Sequence, residues 1–218
     1  MPDPVQTAFA DHAVRRDGDR ELPLGPKAQR TREAILAAAA ARFGEQGYQR
    51  TTVADVAEAA GVSLGTVYQY FRDRADLVAA LVHRSVAVLL ERDTNFRFGE
   101  GRPGLERVIG NFVHSYAAWS DMAGVWEEVS HVDDDLAELR RSLGRIFTET
   151  VERELRRAAR AGKLDAALDP ALTARALTGM VDRYCYVTYV FDPPADGAPS
   201  PEESATVLAR LWAGAIGL

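Results

Sequence analysis

The chain has one cysteine, Cys185, among 218 residues. A lone thiol excludes an internal disulfide framework and fits a reducing cytoplasm. Long apolar runs are missing as well. None approaches the ~18 residues of a membrane span, and the start lacks the charged-then-apolar pattern of a signal peptide. These absences point to a cytoplasmic chain with no membrane partner. The four histidines, at positions 12, 83, 114 and 131, show neither H-x3-H nor HExxH spacing. There is no P-loop and no G-x-S-x-G, and Cys185 has no histidine near it in sequence. No catalytic set and no cofactor motif emerge, so an enzyme is not expected. A metal site would need His114, His131 and the Asp133–Asp135 run to converge in space, which keeps a metal-responsive protein as an alternative. Strand signals and internal repeats are also absent, which leaves an all-α fold.

Excess basic charge is missing too. The net charge is −6, an unpromising figure for a partner of nucleic acid. Its distribution is uneven. Between residues 15 and 50, eight basic side chains face five acids, a local excess of three, whereas Asp133, Asp134 and Asp135 cluster later. Local sign outweighs the total for phosphate, because charges are screened beyond a Debye length of about 8 Å at physiological salt.

What is present centres on residues 52–71, TVADVAEAAGVSLGTVYQYF. Thr52 and Asp55 have the spacing of a capping box, which starts a helix at this point. Val53, Val56, Ala57 and Ala60 give that helix an inward face. Gly61 supplies the positive φ of a tight corner, and Ser63 caps a second helix. Val67 and Phe71 point into a core. Leu64, Gly65, Tyr68 and Gln69 lie mostly opposite, on a face with no carboxylate. A short acid-free face suits the major groove, where phosphates flank whatever reads the bases. A plain helical hairpin in an all-α protein is the competing reading.

Residues 30–77 resemble the DNA-binding domain of the tetracycline-repressor (TetR) family. The matching residues are Arg32-x-x-Ile35-Leu36-x-Ala38-Ala39, Phe43-x-x-x-Gly47-Tyr48-x-x-Thr51-Thr52-Val53, Val56-Ala57-x-x-Ala60-Gly61-Val62-Ser63-x-Gly65-Thr66-Val67-Tyr68-x-Tyr70-Phe71, and Arg74-x-x-Leu77. The resemblance implies an N-terminal three-helix helix-turn-helix domain followed by a C-terminal helical domain for ligand binding and dimerisation. It implies a double-stranded DNA operator, near-palindromic and bound by a homodimer whose reader helices lie about 34 Å apart. By position in the motif, Ser63 caps the reader. Leu64, Gly65, Thr66 and Gln69 become the candidates for base edges. Thr51, Thr52, Tyr68, Tyr70 and Arg74 become the candidates for phosphates. Gln69 suits adenine bidentately, and Leu64 or Thr66 suits a thymine methyl. Leu64 departs from the polar residue frequent there in the family, and Arg74 stands where lysine is common. A protein-interaction adaptor that kept the fold is a further alternative.

The rest of the chain reads as helices around this element. Residues 1–26, with four prolines and several charges, read as a flexible N-terminal arm. Arg15 and Arg16 there either touch phosphate or are solvated. Residues 27–73 form the expected DNA-binding domain and residues 74–218 the helical ligand-binding and dimerisation domain. Within the former, 27–46 forms a helix ended by Gly47, with Arg30 and Arg32 near its start able to approach the DNA backbone. Residues 74–93 form the next helix, the natural lever between reader and body, and 96–104 a glycine-rich break. Helices follow over 105–119, 125–130, 135–161 and 170–190, with an interruption at 120–124. The arginines on the outer face of 135–161 alternate with glutamates and read as solvated. Ser200-Pro201-Glu202-Glu203 starts the last helix. Wide apolar stripes on the last two helices suit self-pairing or burial within one chain; the resemblance favours pairing.

The resemblance also implies a small-molecule effector. An aromatic wall of Phe112, Tyr116, Trp119, Trp126, Phe147, Met180, Tyr184 and Tyr189 is the candidate site, with plain core as the competing reading. His114, Asp182 and Arg183 interrupt otherwise apolar helices and each needs a partner or solvent. An apolar effector, aromatic or acyl with one polar end, releasing a repressor, is the expected mode of action.

Overall fold

Helix signals occupy nearly the whole chain, and the computed structural model, which describes residues 4–17, 25–91, 97–194, 197 and 199–218, is helical with no strand among them. The helices in order are α1 (Pro4–Asp17), α2 (Pro26–Gln46), α3 (Val53–Ala59), α4 (Leu64–Tyr70), α5 (Arg74–Glu91), α6 (Gly101–Ala118), α7 (Ser120–Val129), α8 (Asp134–Arg160), α9 (Pro170–Tyr186) and α10 (Pro201–Ile216). A 3₁₀ turn, Phe98–Glu100, precedes α6, and a π-helical turn, Val187–Phe191, extends α9. The packing divides the chain into one unit of Met1–Ser85 with Asp121–Ser142 and a second of Val86–Ser120 with Leu143–Leu218. The first turns of α5, α7 and the start of α8 group with α2, α3 and α4 in the first unit.

In the first unit, Ile35, Leu36, Ala39 and Phe43 bury one stripe of α2. The helix stops at Gly47, whose φ of 77° is open to glycine at little cost. The next residues form the corner that aims the α3–α4 hairpin. Their backbone carbonyls have no helix to satisfy them, so a side chain must. Arg74 does so. Its Nη1 lies 2.8 Å from the Tyr48 carbonyl, 3.0 Å from that of Thr51 and 3.3 Å from that of Gln49. The same guanidinium stacks 4.6 Å from the centroid of the Tyr48 ring. Thr51 is fully buried, and its hydroxyl donates to the carbonyls of Arg42 and Gly47 at 3.1 and 2.9 Å.

The flexible-arm reading of 1–26 is corrected over 4–17, which form α1. Val5, Ala8 and His12 are buried on one side of it. Phe9 meets the His83 ring of α5 edge-on, with centroids 4.6 Å apart, and Gln6 Oε1 lies 3.3 Å from His83 Nε2. A stripe of one valine, one alanine and one histidine is a faint signal, so the helix depends on docking rather than on its own periodicity. The side chains of Arg15 and Arg16, and residues 18–24, lie outside the described residues.

Two further expectations change. Residues 120–124 are the start of α7, with the chain turning at Trp119 alone. The glycine-rich break is shorter than expected, because α6 begins at Gly101 and takes Pro103 into its first turn, where a missing N–H costs nothing.

In the second unit, α6 and α10 pack antiparallel, with Gly110 against Ala205 and His114 Nε2 2.7 Å from Glu202 Oε1. Leu105, Ile109, Val113, Leu155, Leu177, Leu208, Trp212 and Ile216 are among its buried core. The last helix carries a full capping box, as its sequence predicts.

Two outcomes follow from these contacts. Arg74→Ala removes a charged donor from three carbonyls, so it should lower the unfolding free energy by about 2 kcal/mol in urea titration. Burial first, then the Arg32 charge, holds the His83 imidazole below its ordinary pKa. The unfolded chain therefore binds the proton more readily, and stability is lost as pH falls below about 6.5. His83→Gln should flatten the stability curve measured between pH 7 and pH 5.

Candidate nucleic-acid interface

The reader is built from local signals. Thr52 caps α3, its hydroxyl oxygen accepting the Asp55 amide at 3.1 Å while Asp55 Oδ2 accepts the Thr52 amide at 2.8 Å. These bonds from Thr52 hold the Asp55 carboxyl below the usual carboxylate range. Gly61 makes the corner with φ 66°. Ser63 Oγ accepts the Thr66 amide at 3.0 Å and lies 2.8 Å from the Thr66 hydroxyl, so cap and first turn of α4 tie to each other. Val67 and Phe71 are buried and fix the rotation of α4.

That rotation leaves Leu64, Gly65, Tyr68 and Gln69 outward. Leu64 is 43% exposed and Tyr68 47%, high for large side chains on a short helix that buries its other face. Gly65 is helical, and a Cβ there would meet only the Ser63 hydroxyl, at 3.8 Å. Glycine costs a helix up to about 1 kcal/mol relative to alanine, and packing inside the chain does not require it here. The bare backbone leaves room for a close approach from outside. The face carries no acid.

The residues expected on phosphate fare differently. Thr51 is buried inside the corner, which corrects the phosphate role expected for its side chain, while Arg74 is half-buried with Nη1 on the corner carbonyls and its guanidinium over Tyr48. Thr52 remains exposed although its hydroxyl also donates to Asp55 at 2.7 Å. Tyr70 is half-buried, its ring 6.5 Å from that of Phe71. Arg32 turns inward, 5.4 Å over the Phe71 ring, while Arg30, Arg50 and Arg72 are exposed. Arg72, next to the end of α4, is an exposed cation that the sequence reading did not single out. Its place, one residue past the buried Phe71, was the signal.

The candidate effector wall is only partly assembled. Phe112, Tyr116, Met180, Tyr184 and Tyr189 pack, half-buried, against the core of the second unit. Phe112 and Tyr116 are ring neighbours at 5.9 Å. The Tyr184 and Tyr189 hydroxyls both reach Ser204 Oγ, at 3.0 and 2.8 Å. Trp119 and Phe147 are half-buried in the same unit, whereas Trp126 is buried in the first. Among the polar interruptions, Asp182 and Arg183 are exposed and Arg183 stacks on Tyr186, while His114 engages Glu202. Among the described residues no group of three or more His, Cys, Asp or Glu could hold a metal, and His131 lies 2.7 Å from the Glu127 carbonyl of its own helix. No helix among them is long and apolar enough to cross a membrane.

Comparison with known proteins bears on the same segment. Residues 35–81 match the family model of bacterial regulatory proteins, tetR family. The HTH-type transcriptional regulator TtgR of Pseudomonas putida is 48% identical over 56 residues, 26% of this chain and 27% of TtgR. The HTH-type transcriptional repressor KstR2 of Mycobacterium tuberculosis is 34% identical over 84 residues, 38% of this chain and 42% of the relative. The chain thus aligns with between a quarter and a half of the length of these curated relatives. Solved structures align more fully. SmeT, in its triclosan complex, superposes with a TM-score of 0.67 at 25% identity over 86% of this chain and 91% of that one. MexZ, a repressor responsible for antibiotic resistance in Pseudomonas aeruginosa, gives 0.67 at 27% identity over 84% and 93%. Residues 35–81 thus match the tetR family of bacterial regulatory proteins in sequence, and the helical fold is shared with these solved structures along most of the chain.

Proposed function

We propose that this chain is a cytoplasmic transcriptional repressor that binds a near-palindromic DNA operator as a homodimer and is released by a small apolar effector. The observation that carries the reading is the outward face of α4: exposed, acid-free, with a glycine at its first turn and an amide at Gln69. Leu64, Gly65, Thr66 and Gln69 read base edges in the major groove. Thr52, Tyr68, Tyr70 and Arg72 hold phosphates.

Pairing through α9 and α10 is supported by how the α10 stripe divides. Leu208, Trp212 and Ile216 are buried, while Val207 and Leu211 are each 54% exposed, and Leu172 on α9 is exposed too. A helix apolar on two sides of its circumference has a second surface to cover. Dimerisation then puts two reader helices on one operator. The effector reading is supported by the half-buried aromatic residues around Phe112, Tyr116 and Tyr184 and by the structural relative SmeT, described in complex with triclosan. An aromatic molecule with a single polar end fits that lining.

Selection from a random duplex library, with the full-length protein as bait, tests the reading; recovery of no enriched sequence would sink it. Gln69→Ala should then cost about 1–3 kcal/mol on the selected duplex and relax preference at one base pair. Leu211→Glu should convert dimer to monomer in sedimentation and lower affinity for the full palindrome, while leaving the helical content unchanged.

A further inference from the structure

The corner before the reader is held from a second direction. Tyr48 follows the glycine that ends α2, so its amide has no helical acceptor. Glu128 of α7, 80 residues away, supplies one, with Oε2 3.1 Å from the Tyr48 nitrogen. The approach of α7 to the last turn of α2 shows in two further places. A Cβ at Gly44 would lie 3.6 Å from the Asp121 Cβ, and a Cβ at Gly47 would lie 3.7 Å from Glu128 Oε2. Arg74 holds the carbonyl of the same residue. The Tyr48 backbone is therefore fixed at both ends by opposite charges, its N–H by a carboxylate and its C=O by a guanidinium. Charge-assisted bonds of this kind are about twice as strong as neutral ones.

We propose that Glu128 is a positioning residue for the DNA-reading helix: by accepting the Tyr48 amide it sets the angle at which the chain leaves α2 and enters the α3–α4 hairpin. This rests on the function proposed above. Glu128 lies outside the 35–81 segment that matches the family model, so the reader takes part of its geometry from a helix that the match does not include. That helix is anchored in turn, since Glu127 forms an ion pair with Arg140 of α8. Because a hydrogen bond is lost once its partners part by a few tenths of an ångström beyond about 3.2 Å, a small displacement of α7 along α2 frees the Tyr48 amide and loosens the aim of α4.

The test compares Glu128→Ala with Glu128→Gln, which keeps an acceptor oxygen but not the charge. Affinity is measured by fluorescence anisotropy for the library-selected duplex and for a scrambled duplex of equal length, with active fraction determined for each protein. Glu128→Ala should lower the ratio of the two affinities by at least about fivefold, and Glu128→Gln, which keeps a neutral acceptor, should restore part of it. A loss of stability alone reduces active protein and leaves that ratio unchanged, so an unchanged ratio overturns the proposal whatever the melting temperature. Equal losses in both variants also overturn it, since they assign the effect to charge rather than to the acceptor. Amide hydrogen exchange, which needs no DNA, separates this failure from that of the DNA-binding reading. In Glu128→Ala the Tyr48 amide should lose protection and the α3–α4 amides should shift, even if the wild-type protein selects no duplex. Exchange identical to wild type overturns the positioning role.

Discussion

Unsatisfied backbone at one corner governs the first unit. The segment from the end of α2 to the cap of α3 is short, and its carbonyls cannot be paired by either helix. Sinking one arginine into that corner solves the problem in a way few other side chains could. The planar fork reaches several carbonyls at once, and its face covers Tyr48. Thr51 completes the arrangement from inside, tying the corner back to Arg42 and Gly47. These bonds hold the hairpin's angle, and the base-reading role proposed for it requires that angle to be fixed in advance.

The α3–α4 hairpin was legible in the sequence because its determinants are local. Thr52 finds Asp55 three residues on, Ser63 finds Thr66, and Gly61 needs no partner at all. Val67 and Phe71 fix one face, so the other face follows by rotation. The place of Arg74 in the corner was hidden for the opposite reason. Its acceptors are main-chain carbonyls 23 to 26 residues earlier, and a sequence motif names side chains only. An arginine beside a DNA-reading element looks like a phosphate contact until its surroundings are known. Thr51 was misread in the same way, since nothing in its neighbours tells a buried hydroxyl from an exposed one. The helix α1 was missed because its buried stripe of Val5, Ala8 and His12 has little apolar weight, and its partner His83 lies far along the chain.

The last helix shows where periodicity is informative but incomplete. Val207, Leu208, Leu211, Trp212 and Ile216 fall on one broad apolar band. The fold splits that band into an inner part in the core with α6 and an outer part left exposed. Band width, rather than its presence, carries the information about partners, because a helix packed on one side needs only a narrow stripe. The width of the band was visible in the sequence; the line dividing inside from outside was not.

Spending cations on the fold has a consequence for recognition. Arg74 is committed to the corner and Arg32 to the Phe71 ring, and the exposed face of α4 is uncharged. The whole chain is net acidic. Each phosphate neutralised adds about 0.9 to the slope of log affinity against log salt, so a molecule with few cations to offer gains little from counterion release. A binder of this composition has two ways to reach useful affinity. It can double its contacts by pairing, which the outer band of α10 suits, and it can draw on apolar and amide contacts with base edges, which Leu64 and Gln69 offer. Both favour sequence-dependent binding over general attraction to DNA. The acid-free face that drew attention in the sequence therefore matters less as a basic surface than as one that adds no repulsion between the reader and the groove.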